Sequence, residues 1–159
     1  MAAEFHSSVY EQKSLLKSED WWAVWLGILV FVLGGASVLG VDLLGWVVNF
    51  QVWLDGGKAV VPAAKGYGFL GGWGSAIITY LFLLLVTTTG AVVMGSRPGR
   101  FAGGFTIIYW LTFFCMVVGN YAYIAATPDK QAALHIPWSL GLGELGFVFA
   151  LLAGLVIGN

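Results

Sequence analysis

Long apolar segments separated by short polar ones are the feature that most limits what this chain can fold into. Crossing a bilayer as a helix takes about 20 predominantly apolar residues. Only 9% of the residues are charged and 59% are hydrophobic, whereas a soluble domain is about a quarter charged. We therefore predict an all-α membrane protein with four transmembrane helices, over residues 22–40, 75–94, 102–126 and 137–158.

The N-terminal region has no pattern of a cleaved signal peptide. Residues 1–17 mix acidic and basic side chains without a long apolar run, and we interpret them as a polar tail. Ser18 has the hydroxyl of a helix N-cap, and Glu19 and Asp20 follow in the first turn, where the helix dipole favours negative charge. Residues 18–159 are therefore predicted to form one transmembrane module whose first helix is retained.

Residues 43–54, between the first two apolar segments, have the spacing of one helical face. Five apolar residues recur there at i, i+3, i+4, i+7 and i+10: Leu43, Trp46, Val47, Phe50 and Trp53. About a dozen residues cannot span the bilayer. The pattern predicts an amphipathic helix that lies in the membrane interface.

Tryptophans cluster at the ends of the apolar segments. Their indole rings favour the headgroup level of a bilayer, where one edge is polar and the other apolar. Five are predicted to be interface anchors: Trp21, Trp22, Trp25, Trp73 and Trp138.

The orientation follows from the cations in the short loops, which are enriched on the cytoplasmic side. With four helices, one side carries Lys13, Lys17, Arg97 and Arg100, and the other carries Lys58, Lys65 and Lys130. This excess of one cation predicts a cytoplasmic N-terminus in a bacterial inner membrane.

Glu144 and Asn120 are the candidate polar contact inside the membrane. An ionised carboxylate in hydrocarbon is costly, so such a residue usually faces a cavity or a partner. The third and fourth segments meet at the loop 127–136, which places Asn120 near the same end as Glu144. Two interpretations stay open: Glu144 recognises a partner, or a Glu144–Asn120 hydrogen bond ties two helices of the module together.

No pattern of an enzyme or of a cofactor site is found in the sequence. His6 and His135 lie outside the apolar segments, and Cys115 lies inside one as a small apolar side chain. No Ser–His–Asp set, phosphate-binding glycine loop or zinc spacing occurs. We predict no catalytic residues, no cofactor and no metal, and the net charge of −1 argues against a nucleic-acid partner.

Two stretches resemble a known family. The entry KSEDWWAVWLG (residues 17–27) and the exit GFVFALLAGLVIGN (residues 146–159) are similar to the N-terminal region of the YeiH-like sulfate exporter family of membrane transporters. In that family a transport core follows the position that matches Asn159. The resemblance implies an N-terminal module of an anion exporter that serves as scaffold or interface to the core, and it implies no substrate-binding residue in the matched stretches.

Two hypotheses follow for function. The first is this transporter module, whose partners are the lipid bilayer and the helices of a transport core. The second is a small structural accessory subunit of a larger respiratory or photosynthetic membrane complex, which glycine-rich helices and tryptophan belts also favour.

Overall fold

The computed structural model describes residues 18–158. The predicted polar tail over residues 1–17, with His6, Lys13 and Lys17, lies outside the described residues, as does Asn159. The described helices are α1 (Glu19–Gly35), α2 (Gly71–Val93), α3 (Pro98–Gly119), α4 (Ala122–Ala125), α5 (Pro128–Leu134) and α6 (Leu145–Gly158), and the strands are β1 (Val48–Phe50) and β2 (Val60–Pro62).

Three helical segments are long and apolar enough to cross a membrane: Glu19–Leu39, Lys65–Val93 and Pro98–Gly119. The first joins α1 to a 3-10 helix (Ala36–Leu39), and the second joins a 3-10 helix (Lys65–Leu70) to α2. The first three predicted spans thus coincide with long apolar helices. Ser18 occupies the N-cap position of α1, although its side chain makes no capping hydrogen bond.

Residues 43–54 do not form the predicted interfacial helix, and this is a correction. Strand β1 pairs with β2 in an antiparallel hairpin, in the register Val48 to Pro62 and Phe50 to Val60. The Ala63 N–H donates to Val47 O, and the Gln51 N–H donates to Ala59 O, so pairing extends beyond both ends of the strands. The physical reason is the β-branched content of the segment and the Asp-Gly-Gly turn after it, which favour a hairpin over a helix.

The third span is shorter than the predicted 102–126. Helix α3 ends at Gly119, and Tyr121 has an extended backbone before the four-residue α4. The break is stabilised by backbone hydrogen bonds to Trp53. The backbone N–H of Trp53 donates to Asn120 O, and the backbone N–H of Ala122 donates to Trp53 O. Such pairing compensates the helical hydrogen bonds that the break removes.

The fourth predicted span, over residues 137–158, is also corrected. Its helix α6 has only 14 residues and begins at Leu145. Before it, the chain runs alongside the segment around α4: Leu140 N–H donates to Tyr123 O and Leu142 N–H to Ile124 O. Pro137 therefore does not begin a helix, and the prediction of four spans is not confirmed.

The described chain divides into two compact units. The first unit comprises residues 18–44 and 82–104, and the second comprises residues 45–81 and 105–158. In the first unit, the ring of Trp22 lies against Gly90, where an added Cβ would come within 3.1 Å of the indole. None of the residues of α1 is buried, as expected for a helix that is surrounded by lipid.

The second unit contains two hydrophobic clusters. The larger joins the hairpin to α2 and α3 through buried Val60, Ala76 and Phe113. The smaller is formed by buried Ala122, Ala126 and Ile136, with Val52, Tyr123 and Leu134 packed around them. Both clusters include residues of the hairpin or its loop, so the hairpin is part of the packed core of its unit.

Candidate functional site

The candidate site in the second unit is the junction between the hairpin and the end of α3. Asn120 lies at the break after α3, and its side-chain amide donates to Met116 O at 2.8 Å. Its backbone carbonyl accepts the Trp53 N–H at 3.2 Å. Asn120 thus ends its own helix and receives the hairpin, which is a structural role that the sequence-based reasoning did not assign.

Trp53 is the residue that the sequence-based reasoning placed wrongly. Its indole Nε1–H donates to Val117 O at 2.7 Å, across 64 residues of sequence. Its ring meets Tyr121 edge-on, with centroids 5.2 Å apart. Burial of an indole usually requires a partner for its N–H. The sequence did contain a tryptophan close to a hairpin turn, which is a signal for a hairpin. It did not indicate that Val117 O is the acceptor of the indole N–H.

Two more polar side chains connect α2 to its neighbours within this unit. Thr79 is buried and its Oγ1 accepts the Val48 N–H at 3.0 Å. The next residue on α2 is Tyr80, and its hydroxyl group shares a hydrogen bond of 2.7 Å with the hydroxyl group of Thr106. These bonds fix the hairpin to α2 and fix α2 to α3, so the unit has a defined register at several points.

Glu144 lies at the surface, in the turn just before α6, and not two turns inside a helix as predicted. The Phe147 N–H donates to its backbone carbonyl at 3.1 Å. Within residues 18–158 its carboxylate makes no hydrogen bond with Asn120, because the amide of Asn120 is directed to its own helix. Which role Glu144 has toward a partner stays a prediction.

Glycines bring the end of α3 and the start of α6 into backbone contact. A Cβ added at Gly119 would overlap the Gly146 backbone, and one added at Gly146 would come within 2.9 Å of the Met116 sulfur. Close approach of this kind is what glycines allow between membrane helices. This Gly119–Gly146 crossing gives a specific use to two of the 23 glycines.

An open cavity of about 750 Å³, which we call the hairpin groove, lies along the hairpin and the start of α2. It is lined by 14 residues, among them Asn49, Gln51, Lys58, Lys65, Gly71 and Gly72. A Cβ on Gly72 would overlap the Val60 backbone, so only glycine lets α2 begin this close to β2. None of its lining residues was predicted from the sequence as a site residue.

The threonines in the second half of α2 serve mostly their own helix. The Thr87 and Thr89 hydroxyls donate to Leu83 O at 2.7 Å and Leu85 O at 2.8 Å. The Thr88 hydroxyl is buried without a hydrogen-bond partner in the described residues. The two bonded threonines therefore need no polar partner from another helix.

The predicted anchors are mostly exposed side chains. Trp21, Trp25, Trp73 and Trp138 are between 41% and 56% exposed, whereas Trp22 is half-buried against Gly90. Exposure at a helix end is what a headgroup contact requires. Their role as anchors stays a prediction, as do the absence of catalysis and the orientation of the chain.

The comparisons with known proteins found sequence similarity to a membrane protein. The chain is similar to the UPF0324 membrane protein of Nitrosomonas europaea, with 32% identity over 149 residues. The alignment covers 91% of this chain and 30% of the relative, so the chain spans about a third of the relative's length. No family model matches the chain, and no solved structure matches it.

The relative and the fold agree on where the chain resides. The relative is a membrane protein, and three described helical segments are long and apolar enough to cross a bilayer. The chain is an integral membrane protein.

Proposed function

We propose that this chain is the scaffold module of a sulfate-like anion exporter, and that it acts with a transport core that corresponds to the rest of the relative. The observation that carries the proposal is the similarity of 91% of the chain to only 30% of a membrane protein. The entry and exit stretches that resemble the YeiH-like family support the anion class. The resemblance implies no substrate-binding residue in the matched stretches, so the proposal assigns substrate binding to the transport core.

The bonding in the second unit supports a scaffold. The hairpin, α2 and α3 are connected by specific hydrogen bonds through Trp53 and Thr79, which hold one arrangement. A substrate path across the membrane would need polar groups directed into it. In the first unit, Thr87 and Thr89 lie inside a candidate span and instead bond their own helix. A rigid module of this kind suits the non-moving side of a transporter that works by rocking one part against another.

The short helix α6 supports an interface with other helices. Fourteen residues extend about 21 Å, which is less than the roughly 30 Å of the hydrocarbon core. Its side chains Leu151, Leu155 and Val156 are between 61% and 79% exposed. An apolar helix of this length needs lipid or protein around it, and we propose that helices of the transport core pack there.

Efflux from proteoliposomes tests the proposal. Vesicles preloaded with radiolabelled sulfate would carry the full-length gene product, the same product without residues 18–158, or residues 18–158 alone. We expect efflux only from the first. Efflux through residues 18–158 alone would make the chain a pathway and not a scaffold.

Two other outcomes would contradict the proposal in different ways. Absence of efflux of sulfate and of other divalent oxyanions from the full-length product would contradict the anion class. Native purification at fixed stoichiometry with unrelated respiratory or photosynthetic subunits would favour the accessory-subunit hypothesis.

A further inference from the structure

The hairpin groove lies where a membrane-crossing helix begins. Its lining includes Gly71 and Gly72, the first residues of α2, and α2 continues the candidate span Lys65–Val93. Trp73, the next residue, is 47% exposed. A tryptophan at the start of a transmembrane helix indicates the headgroup level. The groove is therefore at the depth of lipid phosphates.

The charged lining of the groove is cationic. Lys58 and Lys65 both line it, and within residues 18–158 neither side chain forms an ion pair. The nearby carboxylate of Asp55 accepts the Gly57 N–H at 3.1 Å, and Asp55 is not part of the lining. Two ammonium groups that share a cavity without a carboxylate partner repel each other, so an anion between them would be stabilised.

Hydrogen-bond donors complement these charges. Asn49 and Gln51 belong to the lining, and side-chain amides of this kind can donate to phosphate oxygens. The combination of two cations with neutral donors fits a singly charged phosphodiester.

Apolar side chains continue from the groove toward the hydrocarbon. Trp73 and Ile77 are four residues apart on α2, on the same face, and both are about half exposed. Phe69, between the lining residue Gly68 and the start of α2, is 81% exposed. A free anion would have no use for such a stripe, whereas acyl chains would lie along it.

We propose that the hairpin groove binds the headgroup of an anionic phospholipid, such as phosphatidylglycerol. Lys58 and Lys65 contact the phosphodiester, and the acyl chains follow Phe69, Trp73 and Ile77 down α2. The bound lipid fills the groove beside the hairpin and so stabilises the second unit. The proposal is independent of anion export, because binding and not transport is its readout.

Native mass spectrometry of the delipidated full-length gene product is the test. The protein would be incubated in detergent with phosphatidylglycerol or, separately, with phosphatidylcholine, and the retained lipid counted per protein. We expect preferential retention of phosphatidylglycerol, reduced about tenfold in the K58Q/K65Q double variant, since each cation near an anionic headgroup contributes severalfold to binding. The control K130Q removes an exposed cation on α5, outside the groove, and should retain lipid like the wild type.

A second variant keeps the test decisive if the double variant folds poorly. Asn49→Asp adds a negative charge to the exposed edge of β1 while both lysines stay in place, and it should lower phosphatidylglycerol retention severalfold. Arg97 and Arg100 line a separate cavity of about 570 Å³. Their contribution to lipid retention is the same in every variant, so the differences report on the groove.

Three results would overturn the proposal. The first is equal retention of the two lipids by the wild type, and the second is equal retention of phosphatidylglycerol by K58Q/K65Q and K130Q. The third is displacement of phosphatidylglycerol by inorganic phosphate at equal concentration, with phosphate binding lost in K58Q/K65Q. That third result would identify a site for free anions.

Discussion

In the first unit the helices meet through the contact of a ring with a glycine, whereas in the second unit the hairpin, the helices and the extended segment share hydrogen bonds. The ring of Trp22 against Gly90 illustrates the first case. Trp53 illustrates the second, because its indole Nε1–H donates to the backbone carbonyl of Val117. The same residue type thus packs its ring on a glycine in one unit and donates to a backbone carbonyl 64 residues away in the other.

This contrast indicates which helices pack against lipid and which pack against protein. Helix α1 has no buried residue, so its stability depends on matching its apolar length to the bilayer. The second unit contains the described hydrophobic clusters and the hairpin. Substitutions should therefore be tolerated along α1 and should destabilise the second unit.

The largest expected effect is at the Gly119–Gly146 crossing. Gly119→Ala should lower the free energy of unfolding of the second unit by about 3 kcal/mol, because the methyl group overlaps the Gly146 backbone and the helices must separate. Thermal unfolding in detergent measures this change. Gly103→Ala, on the same helix with no atom within 4 Å of the added Cβ, should be neutral or stabilising by about 0.5–1 kcal/mol. Equal melting temperatures for the two variants would contradict the crossing.

Removal of the Trp53 indole N–H should have the next largest effect. Trp53→Phe loses the indole hydrogen bond to Val117 O, which should cost about 1–1.5 kcal/mol, since that carbonyl still accepts the Asn120 N–H at 3.2 Å. The matched change Trp25→Phe in the first unit affects a ring that is 52% exposed and should change stability by less than about 0.5 kcal/mol. The comparison fails if both variants unfold at the same denaturant concentration.

Threonines give a finer test, since both units contain them on the same helix α2. Thr79→Val removes the acceptor of the Val48 N–H and should destabilise the protein by about 1 kcal/mol. Thr89→Val removes only a bond to a carbonyl of its own helix, Leu85 O, and should have an effect near zero. Amide hydrogen exchange should report the difference locally, as faster exchange of Val48 in Thr79→Val alone.

The smallest effect is expected at Glu144. Glu144→Gln should leave the melting temperature unchanged, because the side chain is exposed and forms no ion pair within residues 18–158. Co-purification with the proposed transport core then separates the two interpretations of this carboxylate. Lost assembly at unchanged expression would show that the core recognises Glu144. A loss of stability in the isolated module would instead indicate a structural bond.

The long helices could be predicted from the sequence because apolar length is a local property. The run from Glu19 to Leu39 is visible in any window of its residues, and the structure has a helix there. The helix predicted over residues 43–54 failed because its apolar spacing also fits a hairpin. The valines and the Asp-Gly-Gly turn at residue 55 were the better signal.

The site was less predictable, because its contacts join distant parts of the chain. Asn120 was predicted as a polar contact of Glu144, and that prediction depended on a helix that continued to Ala126. The break after Gly119 depends on Trp53, which lies 67 residues earlier than Asn120 in a segment predicted to be a helix. A wrong local element therefore led to a wrong long-range pair.

The long-range bond of Trp53 also has a consequence for biogenesis. A ribosome adds about 5–20 residues each second, so the carbonyl of Val117 is synthesised roughly 3–13 s after the indole that donates to it, given their separation of 64 residues. Helix α2 is complete at Val93, well before Val117, so in the last part of that interval the nascent hairpin has α2 but not the end of α3 to pack on. A chaperone or the insertion machinery that shields residues 45–64 for those seconds would determine the yield of folded protein.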